Sequence, residues 1–129
     1  MAYDFSVSDV LPADPLAVYE AWMSSDGHSA MTGAGAEVDP RVGGAHSAWD
    51  GYINGSTLAL EPGRRIVQSW RTSEFADSDE DSQIEVILEP VDDGTQITVC
   101  HTNVPDDHLS YENGGWQDNY FDPMKAYFS

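Results

Sequence analysis

Arg41-Val42-Gly43-Gly44-Ala45-His46-Ser47-Ala48-Trp49-Asp50-Gly51-Tyr52-Ile53-Asn54-Gly55-Ser56-Thr57-Leu58-Ala59-Leu60-Glu61-Pro62-Gly63-Arg64-Arg65-Ile66-Val67-Gln68-Ser69-Trp70-Arg71 decides the fold. Asp50-Gly51 separates two runs of strand-forming residues, and such a pair suits the positive φ angles of a two-residue type I′ hairpin. Pro62-Gly63 supplies a second reversal, because proline presets φ at one corner and glycine accepts positive φ at the next. Three strands joined by two tight turns form an antiparallel meander, and the rest of the chain reads as material packed onto it.

Upstream, Tyr3, Phe5 and Val7 alternate with Asp4, Ser6 and Ser8, the pattern of a half-buried first strand. Asp14-Pro15 starts a helix, with Asp14 as its cap and Pro15 at its first position. Leu16, Val18, Tyr19, Trp22 and Met23 mark the face of that helix expected to be buried. The segment 24–35 reads as a loop or a second short helix, and 36–39 as a short strand ahead of Pro40.

Downstream, 72–81 reads as a long acidic hairpin loop containing Phe75. Ile84, Val86 and Leu88 then form a strand that Pro90 should end, and Asp93-Gly94 turns the chain. Ile97, Val99 and His101 alternate with polar residues on the way back, and 104–115 looks irregular. Trp116, Tyr120, Met124 and Tyr127 recur at near-helical spacing, predicting a closing amphipathic helix that Pro123 bends or restarts.

These elements define an α+β protein: short N-terminal helices and a curved antiparallel sheet of about six to seven strands packed on a C-terminal helix. With no internal repeat or linker in its 129 residues, the chain 1–129 reads as a single domain.

Composition narrows the function. The net charge of −18, with Arg41, Arg64, Arg65, Arg71 and Lys125 as the cations, repels nucleic acid and anionic lipid. The acids are spread along the chain, which suits a hydrated, salt-tolerant, halophilic-like surface. A lone Cys100 cannot form an intrachain disulfide and fits a reducing cytoplasm. No signal-peptide pattern and no run of membrane-spanning length is present, so a soluble cytoplasmic protein is expected.

Several segments follow one another in a distinctive order: Pro15-Leu16-Ala17-Val18-Tyr19-Glu20-Ala21-Trp22, Gly43-Gly44, Gly51-Tyr52-Ile53-Asn54-Gly55, Glu61-Pro62-Gly63-Arg64-Arg65-Ile66 and Ser69-Trp70-Arg71. Asp93-Gly94-Thr95-Gln96-Ile97-Thr98-Val99-Cys100-His101-Thr102, Gly115-Trp116 and Pro123-Met124-Lys125-Ala126-Tyr127-Phe128 complete the set. Their order and spacing resemble the START-like (SRPBCC, helix-grip) superfamily, in its AHSA-type form. The resemblance implies a sheet gripping a long C-terminal helix with a cavity between them. It also implies relatives that bind or transform hydrophobic small molecules, some of which assist a heat-shock chaperone in stress. The closing helix is expected to be shorter than is common in the family, and the separate N-terminal domain of eukaryotic chaperone activators is not expected here. No universal catalytic residues exist in the family to carry over.

Turning Ile66-Gln68-Trp70 and Ile97-Val99-His101 inward places Gln68 and His101 among Trp22, Trp70, Trp116, Tyr120 and Met124. Apolar walls with a few convergent polar groups describe a small-molecule pocket. The candidate lining is therefore Trp22, Gln68, Trp70, Val99, His101, Trp116, Tyr120 and Met124. A lone histidine such as His101 is more often a satisfied core residue than an acid-base group.

His28, His46, Cys100, His101 and His108 carry none of the spacings of a metal site, and Cys100 and His101 point to opposite faces of one strand. Asp77, Asp79 and Asp81 begin like a calcium loop, but Ser82 and Leu88 stand where that loop needs glycine and glutamate. There is no nucleophile elbow or phosphate-binding glycine loop, and no cofactor is implied.

The reading is a domain that binds a small hydrophobic or aromatic molecule, as monomer or homodimer. A chaperone-interacting, heat-shock ATPase activator-like module and a cyclase- or hydrolase-like enzyme are the other classes considered.

Overall fold

The computed structural model describes residues 2–73, 75–105 and 115–128. The chain runs β1 (Ala2–Leu11), α1 (Pro15–Trp22), α2 (Ser25–Thr32), β2 (Glu37–Val38), β3 (Ala45–Ala48), β4 (Ile53–Glu61), β5 (Arg65–Thr72), β6 (Ser82–Val91) and β7 (Gly94–Pro105). A π-helical turn (Gln117–Phe121) and α3 (Asp122–Phe128) close it. Seven strands form one curved antiparallel sheet in the order β1-β7-β6-β5-β4-β3-β2, the helix-grip arrangement. His108 and the rest of 106–114 lie outside the described residues.

Of the two meander turns, the second forms as expected. Arg64 N–H donates to Glu61 O at 2.9 Å, and Gly63 has φ 73°, as a type II turn requires. The first turn differs. Ala48 pairs with Ile53, leaving a four-residue loop in place of a two-residue one. Trp49, Asp50 and Gly51 have φ of 54°, 57° and 91°, and Gly51 and Tyr52 N–H donate to Ala48 and Trp49 carbonyls. These are two overlapping left-handed turns, held from outside: Asp50 N–H donates to Gly35 O at 2.9 Å, while Gly35 N–H returns a bond to Asp50 Oδ1 at 2.8 Å. A bulky residue at positive φ costs on the order of 1 kcal/mol or more, so Trp49 carries backbone strain.

The hairpin between β6 and β7 is shifted by one residue. Val91 pairs with Gly94, so Asp92-Asp93 are the central residues and Gly94 opens β7. Pro90 does not end β6, which runs on to Val91. Leu88 N–H reaches across to Arg64 O, the residue just before β5 begins. Pro90, two residues on, turns its missing donor to the same side, beyond the start of β5 at Arg65, where no ladder bond is lost. β7 also continues through Val104 to Pro105, past the expected irregular boundary, because β1 pairs with it as far as Ala2↔Pro105.

Helix α1 is capped by Asp14 Oδ1, which accepts from Ala17 N–H at 2.8 Å. Its buried face is Val18, Ala21 and Trp22, whereas Leu16, expected inside, is 52% exposed. Residues 24–35 resolve into α2, capped by Ser24 and ended by Gly33 at φ 79°.

The closing helix keeps Trp116, Tyr120 and Met124 buried, but Tyr127 is 45% exposed. The π turn explains the change: Asp122 N–H bonds back to Gln117 O, five residues away. One extra residue in the turn rotates the succeeding helix by roughly 100°, so Phe121, Met124 and Phe128 take over the inner face. The helix crosses Pro123 without ending there.

A candidate ligand pocket and its buried polar supports

Where the closing helix meets the far half of the sheet, a pocket of about 400 Å³ opens. Trp49 and Tyr52 enter it from the strained β3–β4 loop, Ile53 from β4, Trp70 from β5, and Gly115, Trp116, Asn119 and Tyr120 from the helix. Five of its eight wall residues are aromatic, and none is charged.

Behind the Trp70–Trp116 wall lies His101, fully buried. Trp116 Nε1–H donates to His101 Nδ1 at 3.2 Å, and His101 Nε2 meets Ser82 Oγ at 2.8 Å. Ser82 Oγ in turn donates to Trp70 O at 2.8 Å. An indole only donates and a carbonyl only accepts, so the chain runs one way and His101 is neutral with its proton on Nε2. Burial holds its pKa down at about 3.

His28, from α2, is the opposite tautomer. Its Nδ1 lies 3.0 Å from Trp22 O and must carry the proton, so Nε2 accepts from the Tyr120 hydroxyl at 3.0 Å. Burial lowers the His28 pKa to about 4 and pushes the Tyr120 phenol well up. Tyr120 therefore stays protonated with its hydrogen committed to His28. Gln68 is also occupied: its Oε1 accepts from Trp22 Nε1–H at 3.1 Å and its Nε2–H donates to Thr57 Oγ1 at 3.3 Å.

The four indoles thus divide. Trp22 and Trp116 donate to Gln68 and His101, whereas the buried Nε1 atoms of Trp49 and Trp70 have no hydrogen-bond partner. Trp49 favours the ionised form of the Tyr120 phenol, as a nearby donor does, but lacks the geometry of a hydrogen bond to it. An unsatisfied buried donor costs about 1–3 kcal/mol, and both such donors belong to residues of the pocket wall.

Of the eight residues expected to line a cavity, Trp70, Trp116 and Tyr120 stand on this wall. Trp22, Gln68, Val99, His101 and Met124 are buried but do not line it. Trp22 and His101 touch that wall through ring contacts, at 5.1 Å to Tyr120 and 5.7 Å to Trp70. Trp49, Tyr52, Ile53, Gly115 and Asn119 are additions to the expected set. The signal available was a tryptophan abutting Asp50-Gly51. His28, considered only as a metal ligand, instead holds Tyr120. Cys100 sits on the opposite face of β7 from His101, and burial and Glu85 raise its pKa, which makes it a poor nucleophile.

A curved antiparallel sheet gripping a C-terminal helix, with a pocket at their junction, defines a START-like helix-grip domain. The family model described as "Activator of Hsp90 ATPase homolog 1-like protein" matches residues 12–129, and the chain belongs to that family. It is 29% identical over 118 residues to an activator of 90 kDa heat shock protein ATPase homolog from Dictyostelium discoideum, covering 89% of this chain and 30% of that protein. The chain thus spans about a third of that relative's length. An HSP90 activator from Plasmodium falciparum superposes with a TM-score of 0.84 at 22% identity, covering 96% of this chain and 94% of the other. A Chromobacterium violaceum protein does so at 0.79 and 26% identity, covering 98% and 96%. Among the described residues no helix is long and apolar enough to cross a membrane.

Proposed function

We propose that residues 1–129 act as one unit that binds a small hydrophobic or aromatic molecule in the pocket between the β3–β4 loop, β5 and the closing helix. The observation that carries this reading is the pocket: about 400 Å³, walled by Trp49, Tyr52, Trp70, Trp116 and Tyr120. That volume and lining suit a ligand of two or three fused rings. Two further features support it. Trp49 is held at positive φ, and backbone strain of this kind tends to persist where function requires it. His28 and His101 are spent on fixing Tyr120 and Trp116, so they serve as supports and the site offers binding rather than acid-base chemistry.

The test is titration with 2-ethylnaphthalene, read by quenching of tryptophan fluorescence. Saturable binding is expected, weakened at least tenfold by Asn119→Trp, which fills the mouth from an exposed helix position. Absence of saturable binding to the wild-type protein would reject the reading.

A second reading, a chaperone-interacting module, is favoured by the family match and by the names of the Dictyostelium and Plasmodium relatives. Exposed large apolar residues fall on separate segments, at Val10, Leu16, Val42, Tyr52, Leu58, Val91 and Tyr127. Stimulation of an Hsp90 ATPase by the isolated chain is the measurement that tests it.

A further inference from the structure

By exposure, the walls of the pocket divide into a floor and a rim. Ile53, Trp70, Trp116 and Tyr120, each no more than 4% exposed, form the floor, and Trp49, Tyr52, Gly115 and Asn119 form the rim. The Tyr120 hydroxyl and the Trp116 indole are spent on His28 and His101, and the Trp70 indole nitrogen is buried, which leaves the floor apolar to a ligand. On the rim, Asn119 is exposed and makes no hydrogen bond among the described residues. Asparagine is a poor residue for a helix interior, because its side chain competes with the backbone for hydrogen bonds. Asn119 nevertheless stands in the middle of the π-helical turn Gln117–Phe121, an irregularity frequent at functional sites. A residue that costs its helix stability and stands at the mouth of an apolar pocket is placed for a ligand rather than for the fold.

We propose that the pocket takes an aromatic molecule with a neutral hydroxyl at one end, its rings on the apolar floor and its hydroxyl hydrogen-bonded to the Asn119 amide at the rim. This rests on the ligand-binding reading above and adds the polar end of the ligand and the residue that selects it. A hydroxyl suits an amide because each both donates and accepts. A carboxylate is a poor fit, because no arginine or lysine lines the pocket, Asp118 beside Asn119 is exposed, and the chain carries −18. A ligand held this way keeps its polar end at the wet mouth, where water completes the hydrogen bonds that the amide leaves open.

The experiment compares 2-ethylnaphthalene with 2-naphthalenemethanol, in which a hydroxyl replaces the terminal methyl group, on the full chain and on Asn119→Leu. Affinities come from fluorescence titration. Leucine keeps the size of asparagine without its hydrogen-bonding groups, so in the variant the alcohol is expected to lose about fivefold in affinity relative to the hydrocarbon. Should Asn119→Leu fail to fold, Asn119→Ala takes its place. A third probe, 2-naphthoate, is expected to bind the wild-type chain more weakly than the alcohol. An unchanged ratio of the two affinities in the variant overturns the inference while leaving the pocket intact. So does 2-naphthoate binding as tightly as the alcohol, and so does saturable binding of the hydrocarbon without that of the alcohol. If none of the three probes binds, the pocket reading falls and this inference falls with it.

Discussion

Trp116 Nε1–H donates to His101 Nδ1 at 3.2 Å, and that bond ties the closing helix to the middle of β7. Because the indole can only donate, the histidine must send its own proton the other way, to Ser82, which passes its hydroxyl hydrogen to the Trp70 carbonyl. Helix, β7, β6 and β5 are joined through one directional chain behind the pocket wall.

Removing the centre of that chain should be costly. His101→Leu leaves Trp116 Nε1–H without an acceptor in the core, and a loss of about 2–3 kcal/mol is expected in urea denaturation. A loss below about 0.5 kcal/mol would mean that the bond contributes little.

Tyr120 separates packing from hydrogen bonding. Tyr120→Phe keeps the ring but strands His28 Nε2 and should cost about 1–2 kcal/mol. Tyr120→Ala also empties a site that is 2% exposed and should cost about 3–5 kcal/mol. Equal losses in the two variants would contradict this assignment.

Acid should weaken the fold through its histidines. Burial lowers His28 to about 4 and His101 to about 3, against 6.5 for an exposed imidazole. Below pH 6.5 the unfolded chain binds protons that the folded chain refuses, so the free energy of unfolding decreases as pH falls. Each histidine contributes a slope approaching roughly 1.4 kcal/mol per pH unit between pH 6 and its folded pKa. Stability measured at pH 7, 6 and 5 should fall, and more gently in His28→Asn. An unchanged slope in that variant would remove His28 as the cause.

Salt should act in the other direction. All five cations pair with neighbouring acids, among them Arg65 with Glu85 and Lys125 with Asp9 at 2.7 Å. The excess acids then repel one another, so screening should raise the melting temperature as sodium chloride goes from low to molar concentration. A midpoint unmoved or lowered by salt would count against surface repulsion as a major contribution.

Gly55→Ala tests the closeness of β4 to its neighbours. A Cβ there would stand 2.0 Å from Ser69 O and 2.6 Å from His46 Nε2. Loss of folding, or destabilisation above about 3 kcal/mol, is expected from thermal melts; near-neutral stability would show that the strands can part.

Much of the architecture was legible from residues alone. The alternation of Ile97, Val99 and His101, the capped start at Asp14-Pro15 and the Pro62-Gly63 turn are local patterns, and local sterics and periodicity are enough to read them. The alternation Ile66-Gln68-Trp70 and the near-helical spacing of the closing segment likewise place Trp70, Trp116 and Tyr120 on inward faces, where the structure has them. What the chain order could not reveal depends on contacts distant in sequence. Gly35 clasps Asp50 from fifteen residues away and turns an ordinary hairpin into a strained loop that carries Trp49 into the pocket wall. The π turn, which moves Tyr127 outward and Phe121 inward, reverses the sides these residues would take on a straight α-helix. The division of four chemically identical indoles into two with partners and two without was decided only in the tertiary structure, because a donor's partner is set by where other strands and helices bring their acceptors.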